Sequence, residues 1–288
     1  MSATKKLELQ NQQNLVHLIN MVNTEDYTKK KWHINRIKRI NGKNLIMIEG
    51  LPGMGNVGKI ATDFIIESLK AEKVQEIYSH SFPHCVLVNE DNLVDLPKIE
   101  IYQKALKDKT LLLIAGDVQP LDEASCYEFC NILLDTFEKS KGREIITLGG
   151  IGQQEVPKEP KLYYTGNSKN IIKKYYSSIL NNDLYGVVGP IMGVSGLLVG
   201  LAKNRSIPAI SILAETYAHP THAGIKEAKE ILMYLNEKLS LKLDLNQIDD
   251  TEIGDARGLT KQGKKINNVL KGPFLTKNKK GNDTNYIG

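Results

Sequence analysis

The sequence predicts an α/β fold, a mostly parallel sheet with helices on both of its faces. Two observations carry that reading. Short apolar runs alternate along the chain with longer stretches whose apolar residues recur at helical spacing. One of those runs, Leu45-Ile46-Met47-Ile48-Glu49, passes through a glycine-rich turn straight into such a stretch, as the first half of a βαβ unit does.

The elements follow in order. Residues 1–43 read as an N-terminal extension. It holds one weakly periodic helix (Leu7, Leu15, Leu18, Ile19, Val22) and then a basic patch, Lys29 to Arg39, interleaved with Trp32, Ile34, Ile37 and Ile40. Basic residues around a Trp suit RNA, but strand-like spacing favours an edge strand with a solvated charged face, and no nucleic acid is expected. After the turn, Val57, Ile60, Ala61, Phe64, Ile65 and Leu69 form the apolar stripe of a helix. Strands are expected at 74–78, 85–88, 98–103, 111–115, 144–148, 161–165, 184–188 and 208–213. Helices are expected at about 122–139, 169–180, 193–203 and 221–239, the last with Thr221 as N-cap. The α/β domain spans 44–245. Residues 246–288 form a C-terminal extension and a flexible tail too poor in apolar residues to pack.

Three readings compete for the turn Gly50-Leu51-Pro52-Gly53-Met54-Gly55-Asn56-Val57-Gly58-Lys59. Gly53, Gly55 and Gly58 fit a dinucleotide fingerprint, but the strand near 75–78 ends in Ser79-His80 rather than in the acid that holds a ribose. Gly53, Gly58 and Lys59 fit a phosphate-binding loop, but Ile60 stands where a magnesium-ligating hydroxyl is needed. The third reading is structural: glycines for tight turning and close helix packing.

That turn, together with Gly189-Pro190-Ile191-Met192-Gly193-Val194-Ser195-Gly196 and Ala214-Glu215-Thr216, resembles the proteasome assembly chaperone family in its archaeal form. The resemblance covers about residues 40–240. It implies a three-layer α/β/α sandwich like that of nucleoside phosphorylases. It also implies a non-enzymatic chaperone that assists assembly of the core proteasome, or binds it, through protein contacts. Some archaeal members of the family dock by a C-terminal hydrophobic-tyrosine-any tripeptide. This chain ends Tyr286-Ile287-Gly288, with the aromatic one place early, and these three are the expected partner-binding residues.

In parallel sheets ligands lie at the carboxyl ends of the strands. Glu49, Asp117, Glu155 (after the turn at 149–152) and Glu215 stand at such ends. With Lys59, the acids Glu49, Asp117 and Glu215 define a candidate crevice. That crevice and the Gly53–Lys59 turn sustain the alternative of a nucleotide or nucleoside enzyme; a carboxylate-amine ligase relative is a further alternative. Gly193-Val194-Ser195-Gly196 lacks the second glycine of a nucleophile elbow, because Leu197 stands in its place. His80, His84, Cys85, His219 and His222 carry zinc-binding atoms in no recognised spacing, and Cys126 and Cys130 lie one helical turn apart without a second pair. No metal, cofactor or catalytic residue is therefore expected.

Composition bounds the rest. No run of 18 apolar residues exists, so no membrane partner is expected. Three cysteines in a chain of 288 residues fit reduced thiols in a cytoplasm. From Gly254 onward eight basic residues against Asp255 and Asp283 leave a charge of +6, and so −1 on the rest of a chain of formal charge +5. The expectation is a cytoplasmic assembly factor that forms a homo-oligomer. Gly50, Gly53, Gly55, Gly58, Gly189, Gly193 and Gly196 act structurally in it.

Overall fold

A computed structural model describes residues 31–89, 91–181 and 189–248 of the chain. The helix expected near the N-terminus, the strand expected at 184–188, the basic tail and Tyr286, Ile287 and Gly288 lie outside the described residues.

Nine strands form one mixed sheet: β1 (Trp32–Arg36), β2 (Leu45–Glu49), β3 (Glu72–Ser79), β6 (Ile99–Ala105), β7 (Thr110–Gly116), β8 (Glu144–Gln153), β9 (Leu162–Gly166), β10 (Leu180–Asn181) and β11 (Ala209–Tyr217). Their order is β1-β3-β6-β7-β2-β8-β11-β9-β10. β4 (Leu87–Val88) and β5 (Val94–Asp95) make a separate two-stranded ribbon. The parallel block is the centre, β7-β2-β8-β11, and the flanks on both sides of it begin with antiparallel pairs. The connections explain this. β3, β8 and β10, each reached through a helix, keep the direction of the strand before, whereas β6, β7 and β9, reached through loops, reverse, and β11 after α4 runs antiparallel to β9. The edge strand β1 pairs antiparallel with β3, so residues ahead of position 44 belong to the same sheet.

Five helices cover the sheet: α1 (Val57–Ser68), α2 (Glu123–Lys139), α3 (Lys169–Tyr175), α4 (Gly193–Asn204) and α5 (Ile225–Leu239). β2 shows why two layers are needed. All five of its residues are buried, Ile46 and Ile48 against the α1/α3/α5 layer, Leu45 and Met47 against the α2/α4 layer. The result is a three-layer α/β/α sandwich. Asp122 caps α2 by accepting the Ser125 N–H at 2.9 Å. Arg205, just past α4, binds Asp135 and Asn131 of α2 and so ties the two outer helices together.

Trp32 is consumed by this packing. Its ring stacks on Phe129 at 5.5 Å and meets Phe82 edge-on at 5.8 Å, and its indole N–H donates to Glu128 at 2.8 Å. Lys31 pairs with the same Glu128, so the Trp and this neighbouring cation serve the edge strand.

Several boundaries differ from the sequence reading. β8 does not end at 148 but runs on through the glycines to Gln153, because β11 continues alongside it to Tyr217. α3 stops at Tyr175, where Tyr176 turns to extended backbone and the Tyr175 hydroxyl is fastened to Glu144 at 3.0 Å. α5 begins at Ile225 after Gly224, and Thr221 is not its cap; its hydroxyl instead lies 2.9 Å from His219 Nδ1. The strand expected at 85–88 shrinks to Leu87–Val88, since its partner is the two-residue β5 and not the main sheet.

Candidate functional site

The glycine turn leaves β2, makes a single 3-10 turn over Met54–Asn56 and enters α1. Gly55 takes φ 59°, a left-handed backbone that glycine adopts without penalty, and Asn56 follows at φ 52°. The turn is wedged into the molecule. A Cβ on Gly50 would lie 2.2 Å from the Gly58 carbonyl, one on Gly58 2.3 Å from the Leu148 carbonyl of β8, and one on Gly55 2.4 Å from Thr216 Oγ1 of β11. Gly50 and Gly58 let the start of α1 rest directly on the strand backbone, and Gly55 makes room for the Thr216 side chain. Gly53 differs: it is extended, and its nearest neighbour would be 3.8 Å away.

Part of the turn's polar backbone is committed to the chain itself. The Gly50 N–H donates to Ile114 O at 3.0 Å, Leu51 N–H to Glu49 Oε1 at 3.2 Å and Asn56 N–H to Gly53 O at 2.9 Å. The Gly55 carbonyl accepts the Gly224 N–H at 2.8 Å. Gln119, in the loop after β7, binds the Pro52 carbonyl with its amide N–H, and its oxygen accepts the Val194 N–H at 3.0 Å. One side chain therefore stitches the first glycine motif to the second. In the second motif Gly193 sits at φ 77°, and a Cβ on Gly196 would lie 2.1 Å from the Ile191 carbonyl. Gly189 is exposed with nothing within 4 Å.

Glu49 and Glu215 do not converge. Glu215 pairs with Ile151, four residues beyond Thr147, the partner of Glu49. That offset is about 13 Å along the strands. Glu215 binds the Tyr163 hydroxyl at 3.0 Å and the Lys161 N–H at 3.3 Å, and with Glu155 it lines a cleft of about 520 Å³ at 153–158. Lys59 is 4% exposed and pairs with Asp63 at 2.9 Å, one helical turn along, rather than reaching into the glycine turn. Asp117 accepts the Lys98 N–H at 3.2 Å. Burial raises its carboxyl above the ordinary value, against the pull of the Lys59 ammonium.

Glu49 is fully enclosed on the α2/α4 side of the sheet. Burial pushes its carboxyl up to about 7, opposed by the Ser195 hydroxyl and the Leu51 N–H. In register with it on adjacent parallel strands lie Thr147 and Ser211, both 0% exposed. Sequence reading missed both, although a hydroxyl inside each of the runs Ile145-Ile146-Thr147-Leu148 and Ile210-Ser211-Ile212 is a usable signal. Gln119 carried no such signal. Cys126 and Cys130 of α2 face the same region; a hydrogen bond with Cys126 and burial raise the Cys130 thiol.

His222 Nε2 lies 2.9 Å from Glu227, and Tyr217 stacks on His219 at 5.4 Å. Among the described residues no three His, Cys, Asp or Glu side chains are grouped to hold a metal ion.

Comparison with known proteins places this architecture. The structure is similar to Pyrococcus furiosus PbaB, described as an archaeal proteasome activator, with 30% identity and a TM-score of 0.70 over 84% of this chain and 98% of that one. It shares its fold with Pyrococcus furiosus PbaA, an archaeal homologue of proteasome-assembly chaperone, at 22% identity and a TM-score of 0.61 over 75% of this chain and 85% of that one. An uncharacterised protein of Methanocaldococcus jannaschii is 26% identical over 85% of this chain and 93% of its own length. The glycine turn, the second glycine motif and β11 all fall inside residues 47–252, which match the PAC2 family model, and the chain belongs to the PAC2 family.

Proposed function

We propose that this protein is a non-enzymatic factor that binds the core proteasome or its subunits and assists their assembly. The observation that carries the proposal is the fate of the family's glycine motifs. Gly50, Gly58 and Gly196 are committed to close backbone packing, Gly55 to a left-handed turn against the Thr216 side chain, and Lys59 to Asp63. A phosphate-binding loop needs a projecting lysine, which the pairing of Lys59 with Asp63 withholds. Likeness to PbaB supports the proteasome as partner. Exposed apolar side chains support a protein-binding role: Val86, Val88, Leu93, Val94 and Leu96 on and beside the β4–β5 ribbon are each at least half exposed. Action in the cytoplasm, self-association into a homo-oligomer and docking through Tyr286, Ile287 and Gly288 belong to the same proposal. The chain's free cysteines support the first of these.

The test is co-sedimentation of the full chain with archaeal core proteasome, paired with calorimetric titration by ATP and by GTP with magnesium. Stable association without nucleotide binding is expected. Association that Tyr286→Ala weakens about tenfold, equivalent to ~1.4 kcal/mol, assigns the docking to the C-terminus. Micromolar nucleotide binding abolished by Lys59→Ala, with no association, overturns the proposal in favour of a nucleotide enzyme.

A further inference from the structure

The cleft at 153–158 opens at the carboxyl ends of the parallel strands β8 and β11 and measures about 520 Å³. Two carboxylates line it. Glu215 is half-buried and held in place by the Tyr163 hydroxyl at 3.0 Å and the Lys161 N–H at 3.3 Å, whereas Glu155 is exposed. Among the described residues no cation forms an ion pair with either of them. Val156 and Pro157 add an apolar wall, and Lys158 is the one basic residue in the lining. The methylene stem of a lysine or arginine can pack on such a wall while its charged head meets a carboxylate. This chemistry fits an extended basic segment.

The chain supplies such a segment next to the cleft. Lys226, near the start of α5, donates to the Lys158 carbonyl on the cleft wall. Lys229, almost one helical turn further along, donates to the Ile248 carbonyl at 3.4 Å. These two lysines are about 4.5 Å apart along the helix axis, so the last described residue stands close to the cleft wall. Nine residues beyond Ile248 comes Arg257, and Lys261, Lys264 and Lys265 follow with no acid between them. Nine extended residues span about 30 Å, ample for the distance. The four cations belong to the part of the chain that carries +6, facing a remainder of formal charge −1.

We propose that residues 257–265 dock in the Glu155–Glu215 cleft of their own molecule, with lysine or arginine heads against the two carboxylates. The contact is electrostatic, because Leu259 is the one large apolar residue the segment has to bury. Exposed ion pairs contribute little each, so the segment exchanges on and off the cleft and salt weakens its hold. Anchored there, it sets the point from which Tyr286, Ile287 and Gly288 reach a partner. That consequence rests on the function proposed above; the contact itself does not, and it is tested without a proteasome.

Two measurements on the full chain test it. The first is zero-length carbodiimide cross-linking of an equal mixture of unlabelled and 15N-labelled protein at low salt, read by mass spectrometry. Links from Glu155 or Glu215 to Lys261, Lys264 or Lys265 within one isotope are expected, and they should fade in about 0.5 M salt, where the screening length is about 4 Å. The exposed pair Lys38–Glu72, 2.8 Å apart, is the internal control. No link from the cleft while the control forms overturns the proposal. Links only between different isotopes also overturn it and assign the cleft to the tail of a second copy. The second measurement is the rate at which trypsin cuts after Arg257, in wild type and in Glu155→Gln, a substitution at an exposed side chain. The variant should be cut about threefold faster at low salt and at the wild-type rate in about 0.5 M salt. A rate no higher than that of wild type at low salt, or a difference that salt leaves unchanged, overturns the proposal.

Discussion

Glu49→Gln tests the electrostatics of the sheet centre. The Glu49 carboxyl is fully buried, and its pKa rises from 4.5 to about 7 on folding. Between those values the native state holds a proton that the unfolded chain has released. Stability therefore falls as pH rises across that window: the contribution is fully present below about 4.5 and lost once pH passes about 7. A tenfold change in proton affinity is worth about 1.4 kcal/mol, so the loss is about 3 kcal/mol. For a chain of this size that is about 6–12 °C in melting midpoint. The groups facing Glu49 are the Ser195 hydroxyl from α4, which favours the ionised form, and the Cys126 thiol from α2, which disfavours it. Glutamine keeps the shape and removes the titration. Urea unfolding followed by circular dichroism, at intervals from pH 5 to pH 8, should give a wild-type stability that drops relative to Glu49→Gln by about 3 kcal/mol, with the variant the more stable at pH 8. Parallel curves for the two proteins would refute the reasoning, since the carboxyl would then titrate alike in both states.

Two further outcomes are expected from denaturant titrations and NMR. Gly58→Ala should destabilise by about 1–3 kcal/mol or more, because its Cβ would meet the Leu148 carbonyl at 2.3 Å, whereas Gly53→Ala should stay within about 0.5 kcal/mol; equal effects would remove the close-packing account of the turn. Lys59→Met should cost about 2 kcal/mol through loss of the buried partner of Asp63, and it should raise the Asp117 titration further; an unchanged Asp117 would show that the ammonium does not act on it.

Much of the fold is legible in local chemistry. The fully apolar run of β7 and the alternating faces of β2 follow from burial on one side or both, and the amphipathic stripe from Val57 to Phe64 follows from helical spacing. Those patterns need no partner to be recognised, because period and apolarity are properties of the chain. The resemblance carried by the glycine motifs was likewise readable, and the family match over 47–252 agrees with it.

What the sequence left open are the relations between distant segments. Periodicity does not encode strand direction, so the antiparallel flanks appear only once loops and helical crossovers are seen as different connections. A strand end is defined by its neighbour: β8 runs through Gly149 and Gly150 because β11 lies beside it. Glu49 and Glu215, read as parts of one crevice, lie apart along the sheet because register, not sequence order, sets their spacing. Gly53 and Gly58 look alike in the motif, yet only Gly58 faces a backbone carbonyl at contact distance, a carbonyl 90 residues further along the chain. Glu49, Thr147 and Ser211 are far apart in sequence and become a single polar row only when three strands align. The sequence by itself determined where most of the strands and helices lie, since that depends largely on each residue's own apolarity and conformational freedom. The tertiary structure alone decided which side chains share an environment, since desolvation and hydrogen bonding depend on neighbours brought in from elsewhere in the chain.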